Sequence, residues 1–262
     1  MATSARVALL NASAHGIGKA TARRLAKAGF SLFLMDLDGE MLEATASELR
    51  QSGASVGTRA GNALDGAHVK AGVEAALQQF GRIDALACIA GGAGGIPLHQ
   101  VDEIPVEHWE RVISLNLTST FLACHHTVPV MRKQKYGRIV CVSSTVAKGR
   151  LGPVGTMGAR LPYATAKAGL LGFTKQLAKD TGLDGITVNA VLPWLTFGDP
   201  GSKIRASFEN QSAEYRERTL ANSPQRRPVA AEGVASTIAF LLSEEAEYVS
   251  GTGIPVDGAV LN

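Results

Sequence analysis

The sequence predicts a doubly wound α/β domain, a parallel sheet between two layers of helices, on three observations. Short runs rich in Val, Ile and Leu alternate with longer amphipathic stretches along the whole chain. The first of these runs ends in a glycine-bearing turn that opens a helix. Two long irregular segments both follow strand C-termini, the edge at which open α/β sheets bind ligands.

Seven runs read as buried parallel strands: Arg6 to Ala12, Ser31 to Asp36, Ser55 to Asn62, Ile83 to Ala90, Arg138 to Ser144, Ile186 to Pro193 and Gly253 to Asp257. Helices fill the intervals. Gly29 ends the first helix, Asp38 can N-cap the second, and Pro105 and Pro228 stand where first-turn prolines are tolerated. The irregular segments are Lys148 to Pro162, rich in glycine, and Trp194 to Ser223, long and poorly periodic. Residues 194–223 are expected to form a mobile substrate lid within one catalytic domain spanning 1–262.

Composition narrows the function. The 26 basic and 23 acidic residues are spread without a basic stripe, so nucleic acid is not an expected partner. Cys88, Cys124 and Cys141 lack CxxC spacing, which suggests neither a disulfide framework nor a metal site and fits a reducing cytoplasm. The apolar run after Arg6 is too brief for a signal-peptide core, and no stretch approaches the ~20 apolar residues that span a bilayer. A soluble, cytoplasmic protein with no membrane partner is expected.

The turn Asn11-Ala12-Ser13-Ala14-His15-Gly16-Ile17-Gly18 leads into a periodic helix over Lys19 to Ala28. Backbone N–H groups at such a turn can approach a pyrophosphate, whose charge the helix N-terminus also favours. Two glycines before a helix are weak evidence alone. The second strand adds to it by ending in Asp36, 18 residues beyond Gly18, where a carboxylate accepts bonds from ribose hydroxyls and repels a 2′-phosphate. NAD is therefore expected over NADP. His15 either helps bind a phosphate when protonated or is a neutral histidine in a solvated turn.

Tyr163 and Lys167 stand at i and i+4 on a helix, which puts phenol and ammonium on one face. A nearby cation stabilises a phenolate and lowers its pKa from about 10. With four tyrosines and ten lysines, about 0.15 such pairs arise by chance. Context makes the pair specific, because the strand Gly137 to Ser144 delivers two hydroxyls, Ser143 and Ser144, to the same side of the sheet. Strand alternation turns the two serines opposite ways, and Ser144 is the one expected in the site.

These residues, in this order, resemble the classical short-chain dehydrogenase/reductase family over essentially the whole chain. The family's glycine turn falls on Asn11 to Gly18, its second-strand acid on Asp36, and its adenine-contacting residue on Asn62. Its Asn-Asn-Ala-Gly falls on Cys88-Ile89-Ala90-Gly91, its catalytic Asn, Ser, Tyr and Lys on Asn116, Ser144, Tyr163 and Lys167, and its closing strand on Ser250-Gly251-Thr252-Gly253 and Val256-Asp257-Gly258. The resemblance implies a single Rossmann-type domain with a seven-stranded sheet, and a homotetramer or homodimer assembled through the two long helices near 105–133 and 163–180.

It implies a cofactor site of Ser13, His15, Gly16, Ile17, Gly18, Asp36, Asn62, Ala63, Ile89, Ala90, Gly91, Tyr163, Lys167, Pro193 and Thr196. It also implies that Tyr163 exchanges a proton with an alcohol or ketone while hydride moves to or from the nicotinamide. Lys167 is then expected to lower the tyrosine pKa and hold the ribose, Ser144 to orient the substrate oxygen, and Asn116 to anchor a relaying water. Asn116 also has a plainer reading, a buried amide satisfied by backbone.

The chain departs from the family in four places. Ala12 replaces a glycine, tolerable if its φ is negative. Cys88 and Ile89 replace two asparagines, so the side-chain bonds that tie that strand to its neighbours must come from elsewhere or be absent. Trp194 replaces a glycine and either lines the pocket or is a core aromatic covering the cleft. The Ser144–Tyr163 interval is long, with its extra length in Gly149 to Leu161.

An NAD-dependent oxidoreductase for a secondary alcohol and its ketone is the expected function. The alternatives are an NADP-dependent ketoreductase and a catalytically idle NAD-binding sensor or scaffold. Trp194, Leu195, Phe197, Ile96 and Met157 suggest apolar pocket walls.

Overall fold

The structure, a computed structural model, describes residues 5–95, 100–149 and 160–261. Seven parallel strands form one sheet: β1 (Val7–Asn11), β2 (Ser31–Asp36), β3 (Val56–Ala60), β4 (Ala85–Cys88), β5 (Gly137–Val142), β6 (Ile186–Pro193) and, last in the chain, β9 (Gly253–Val256). Their order across the sheet is β3-β2-β1-β4-β5-β6-β9, the doubly wound arrangement. The winding reverses between β1 and β4, which opens a crevice at their C-terminal ends.

The two faces follow from strand alternation. Leu10, Leu32, Leu34, Ala87, Val140 and Val191 face one way, onto α1 (Gly16–Lys27), α2 (Gly39–Gln51) and α9 (Ala231–Leu241), where Leu25, Leu42 and Ile238 meet them. Leu9, Phe33, Leu86, Cys88, Ile139, Cys141 and Val188 face the other way. There they pack on α3 (Gly66–Phe80), α5 (Ser119–Gln134) and α6 (Arg160–Thr181), through residues such as Val73, Cys124, Met131 and Leu171. A helix α4 (Val106–Ile113) runs into α5 through a π turn at Ser114–Thr118.

The expected strands are all present: β2, β6 and the start of β9 have the expected bounds, β5 starts one residue earlier at Gly137, and the other ends are trimmed by a residue or two. Asp38 N-caps α2 as expected, accepting from the Met41 N–H at 3.0 Å. Pro105 is the N-cap residue of α4. Pro228 is not in a helix: it precedes a short strand, β8 (Val229–Ala230), that pairs with β7 (Thr196–Phe197) and stands before α9. This ribbon had no sequence signal, because two-residue strands have no periodicity to read. Between its strands lie α7 (Lys203–Glu209) and α8 (Ala213–Leu220), the body of the expected lid.

Ala12 corrects one expectation. Its φ is +48°, in the left-handed region, where a Cβ costs about 1–2 kcal/mol. The turn holds it there because the Ala12 carbonyl lies where a Cβ on Gly18 would be, at 2.0 Å, so strand end and helix start are pressed together. Ala12→Gly should therefore stabilise the fold by about 0.5–1 kcal/mol after the unfolded-chain entropy of glycine is counted, raising Tm by about 2 °C in thermal melts.

Candidate active site

The site is built at the C-terminal ends of β1, β2, β4, β5 and β6. At the end of β1, Gly16 has φ +55° and starts α1, whose N-cap residue His15 is exposed and makes no side-chain cap. No acidic residue stands in the first turn of α1. By contrast, α2 and α3 are capped by the carboxylates of Asp38 and Asp65. The first turn of α1, with Gly16, Ile17 and Gly18, is thus left for an anion, which fits a dinucleotide pyrophosphate. Ser13 is fully buried and its hydroxyl donates to the Met35 carbonyl at 3.1 Å, so this side chain fastens the turn to β2 rather than facing the crevice.

Asp36, the last residue of β2, is bonded to that same turn. Its two carboxylate oxygens accept from the Ala14 N–H at 2.9 Å and the Asp38 N–H at 3.1 Å, which fixes the group at the end of β2. Asn62, exposed in the turn after β3, accepts from the Leu64 N–H at 2.9 Å with its side-chain oxygen, and Ala63 lies half-buried beside it.

The bonds missing at Cys88 and Ile89 come from Asn11. Its Oδ1 accepts from the Ile89 N–H at 2.6 Å and the Ala90 N–H at 2.8 Å, joining the ends of β1 and β4 at the point where the winding reverses. An asparagine ending a buried strand was the available signal, and only the 78-residue contact gives it meaning. Asn11→Ala leaves two buried donors without a partner and should cost about 2–3 kcal/mol, read as a shifted urea midpoint. Cys88 packs into the core with Cys124 and Cys141, all three free thiols, and Ile89 packs against the opposite core.

Beyond Ala90, Gly91 forms the floor of the site. A Cβ there would lie 2.4 Å from Asn116 Oδ1 and 2.9 Å from Lys167 Nζ, so no side chain is tolerated. Asn116, in the π turn, donates to the Gly92 and Val112 carbonyls at 2.8 Å each and accepts from the Gly92 N–H at 3.0 Å. Its amide is fully buried and held by backbone, and the side chain clamps the Gly91–Gly92 strand end beside Lys167.

Ser143 and Ser144 separate as strand alternation requires. The Ser143 hydroxyl donates to the Lys167 carbonyl at 2.7 Å, a brace for α6, whereas the Ser144 hydroxyl bonds the Tyr163 phenol. Lys167 is buried, its Nζ donating to the Val142 carbonyl at 2.7 Å and lying 5.6 Å from the Tyr163 ring centre.

Burial brings the Lys167 pKa down to about 8, and it raises the Tyr163 phenol, with only the Ser144 hydrogen bond opposing. Desolvation disfavours the phenolate, and Lys167 is itself desolvated with its Nζ turned toward the Val142 carbonyl.

Pro193 ends β6 in register with Val256. The Thr196 hydroxyl, buried in β7, donates to the Trp194 carbonyl at 2.9 Å. Trp194 is 5% exposed and its indole N–H has no partner among the described residues, so it is a buried aromatic at the end of β6. Phe197 packs edge-on against Phe208 of α7, centroids 5.4 Å apart. The expected pocket residues Ile96 and Met157, and residues 150–159 of the long loop, lie outside the described residues. Two surface hollows of about 540 and 530 Å³ lie elsewhere among the described residues, around Phe30 and Ser55 and around Thr174 and Pro255.

The family model for enoyl-(acyl carrier protein) reductase matches residues 11–260. The chain belongs to the classical short-chain dehydrogenase/reductase family. It is 33% identical to levodione reductase of Leifsonia aquatica over 97% of this chain and 93% of the relative. It is 35% identical to a 3-oxoacyl-[acyl-carrier-protein] reductase of Thermotoga maritima over 100% of both. The structure of a single-substitution variant of actinorhodin polyketide ketoreductase with NADPH superposes with a TM-score of 0.88 at 32% identity, covering 100% of both chains. The protein is thus a short-chain oxidoreductase, of a family that binds a nicotinamide cofactor. Among the described residues no helix is long and apolar enough to cross a membrane, and no cluster of metal-ligating side chains is present.

Proposed function

We propose that this enzyme interconverts a secondary alcohol and its ketone with NAD, using Tyr163 as general acid and base. The observation that carries the reading is the meeting of Ser144, Tyr163 and Lys167 beside the Gly91 floor, at the crevice where the sheet winding reverses. The cofactor would accept or donate the hydride. The uncapped start of α1 would hold its pyrophosphate and Asp36 its adenosine ribose, with Asn62, Ala63, Ile89, Ala90, Pro193 and Thr196 along the cleft. Ser144 orients the substrate oxygen toward the Tyr163 hydroxyl, which gives a proton during reduction and takes one during oxidation. Lys167, charged below about pH 8, supports the phenolate when it forms. The ketone-reducing relatives support this reaction class.

The test is absorbance of the reduced nicotinamide with panels of secondary alcohols and ketones, with NAD and NADP compared. Turnover with NAD is expected; tight NAD binding with silence across both panels would favour the idle sensor. The three free thiols suit a cytoplasmic setting. Ala168 and Gly172 of α6 face outward, which suits close helix contact in a homodimer or homotetramer. A light-scattering mass well above the 27.3 kDa of one chain is expected, and a monomer mass overturns the assembly.

A further inference from the structure

The loop between β7 and β8 is tied to the glycine turn by its first two residues, Gly198 and Asp199. Residues 198–228 form a loop closed at its base by the pairing of Thr196 with Val229 and Phe197 with Ala230. Directly beyond that base, Gly198 lies against the glycine turn: a Cβ at 198 would be 2.9 Å from the Gly16 Cα. The next residue, Asp199, reaches α1, with Oδ1 3.3 Å from Arg23 Nη1 and Oδ2 3.8 Å from Lys19 Nζ. Both cations are held from the far side by Glu48 of α2, at 2.6 Å from Arg23 and 3.1 Å from Lys19. Their positions are thereby set before Asp199 arrives, which reduces the side-chain entropy lost in pairing.

We propose that Asp199, with Lys19 and Arg23, latches the lid stem across the phosphate-binding turn and so sets how fast the dinucleotide leaves. The inference rests on the cofactor reading above. Asp199 is a positioning residue, touching neither substrate nor cofactor in this reading. A dinucleotide held at the start of α1 would lie beside the stem at Gly198, and its release would require the stem to lift from Gly16. The pairs are half exposed, so the expected effect is small, about 2- to 5-fold in rate. Its direction is diagnostic. Simple electrostatics predicts that removing a negative charge near bound phosphates slows release, whereas loss of a latch speeds it.

The experiment is stopped-flow release of NADH, followed by nicotinamide fluorescence during displacement with excess NAD, on wild type, Asp199→Asn, Asp199→Glu and the double change Asp199→Asn with Arg23→Gln. Faster release from Asp199→Asn, near wild-type release from Asp199→Glu, and an Asp199→Asn effect that shrinks in the Arg23→Gln background support the latch. Unchanged or slower release from Asp199→Asn, at an unchanged melting temperature, overturns the latch and leaves the cofactor reading standing. Failure of the wild type to bind either NADH or NADPH overturns both.

Discussion

Tyr163→Phe is expected to lower kcat by about 10²- to 10⁴-fold, because it removes the hydroxyl that Ser144 bonds while keeping the ring beside Lys167. Cofactor affinity should change little, so the loss falls on kcat rather than on the NADH dissociation constant. The pH profile separates a proton-transfer role from a packing role. Oxidation starts from the phenolate, and burial holds the phenol above its usual value, so oxidation should quicken as pH rises. Reduction starts from the phenol and should slow. Lys167 limits the rising limb, since it sheds its charge through about pH 8 and then supports the phenolate less. Both limbs should vanish from whatever residual rate Tyr163→Phe retains. A variant that kept the wild-type profile at reduced rate would place the proton transfer elsewhere.

Asp36→Ala is expected to shift the preference between NAD and NADP by about 10²-fold toward NADP. Hydrogen bonds to an ionised acceptor are worth about 1.5–3 kcal/mol, and the same substitution removes the repulsion of a 2′-phosphate. The carboxylate is well placed to act this way because the Ala14 and Asp38 N–H groups fix it. Its loss also frees those two donors, so a melting temperature lower by a few degrees should accompany the shift. Fluorescence titrations with NADH and NADPH on wild type and variant measure the ratio. A ratio unchanged by Asp36→Ala would remove the basis for NAD and favour NADPH, the cofactor in the structure of the ketoreductase neighbour.

Within the site, legibility followed the range of the interaction that decides each residue's place. Tyr163 and Lys167 were legible because four residues on a helix suffice to align them. Ser144 was legible over Ser143 because strand alternation is local and rigid. Asn11 was not, since its partners are Ile89 and Ala90 on another strand. Asp199 was not, since the mixed charges of residues 195–220 give no hint of which cation each acid meets.

By itself the sequence determined the seven strands, their doubly wound class, the glycine turn and the acid opposite it, because apolar periodicity, glycine and helix caps act over a few residues. Tertiary structure alone decided four further matters. It set Ala12 at positive φ, because the carbonyl it carries must clear Gly18. It engaged the Asn116 amide with Gly92 and paired β7 with β8. It also shifted the titration of Tyr163 upward and of Lys167 downward, because desolvation depends on everything packed around a group, which no spacing along the chain can supply.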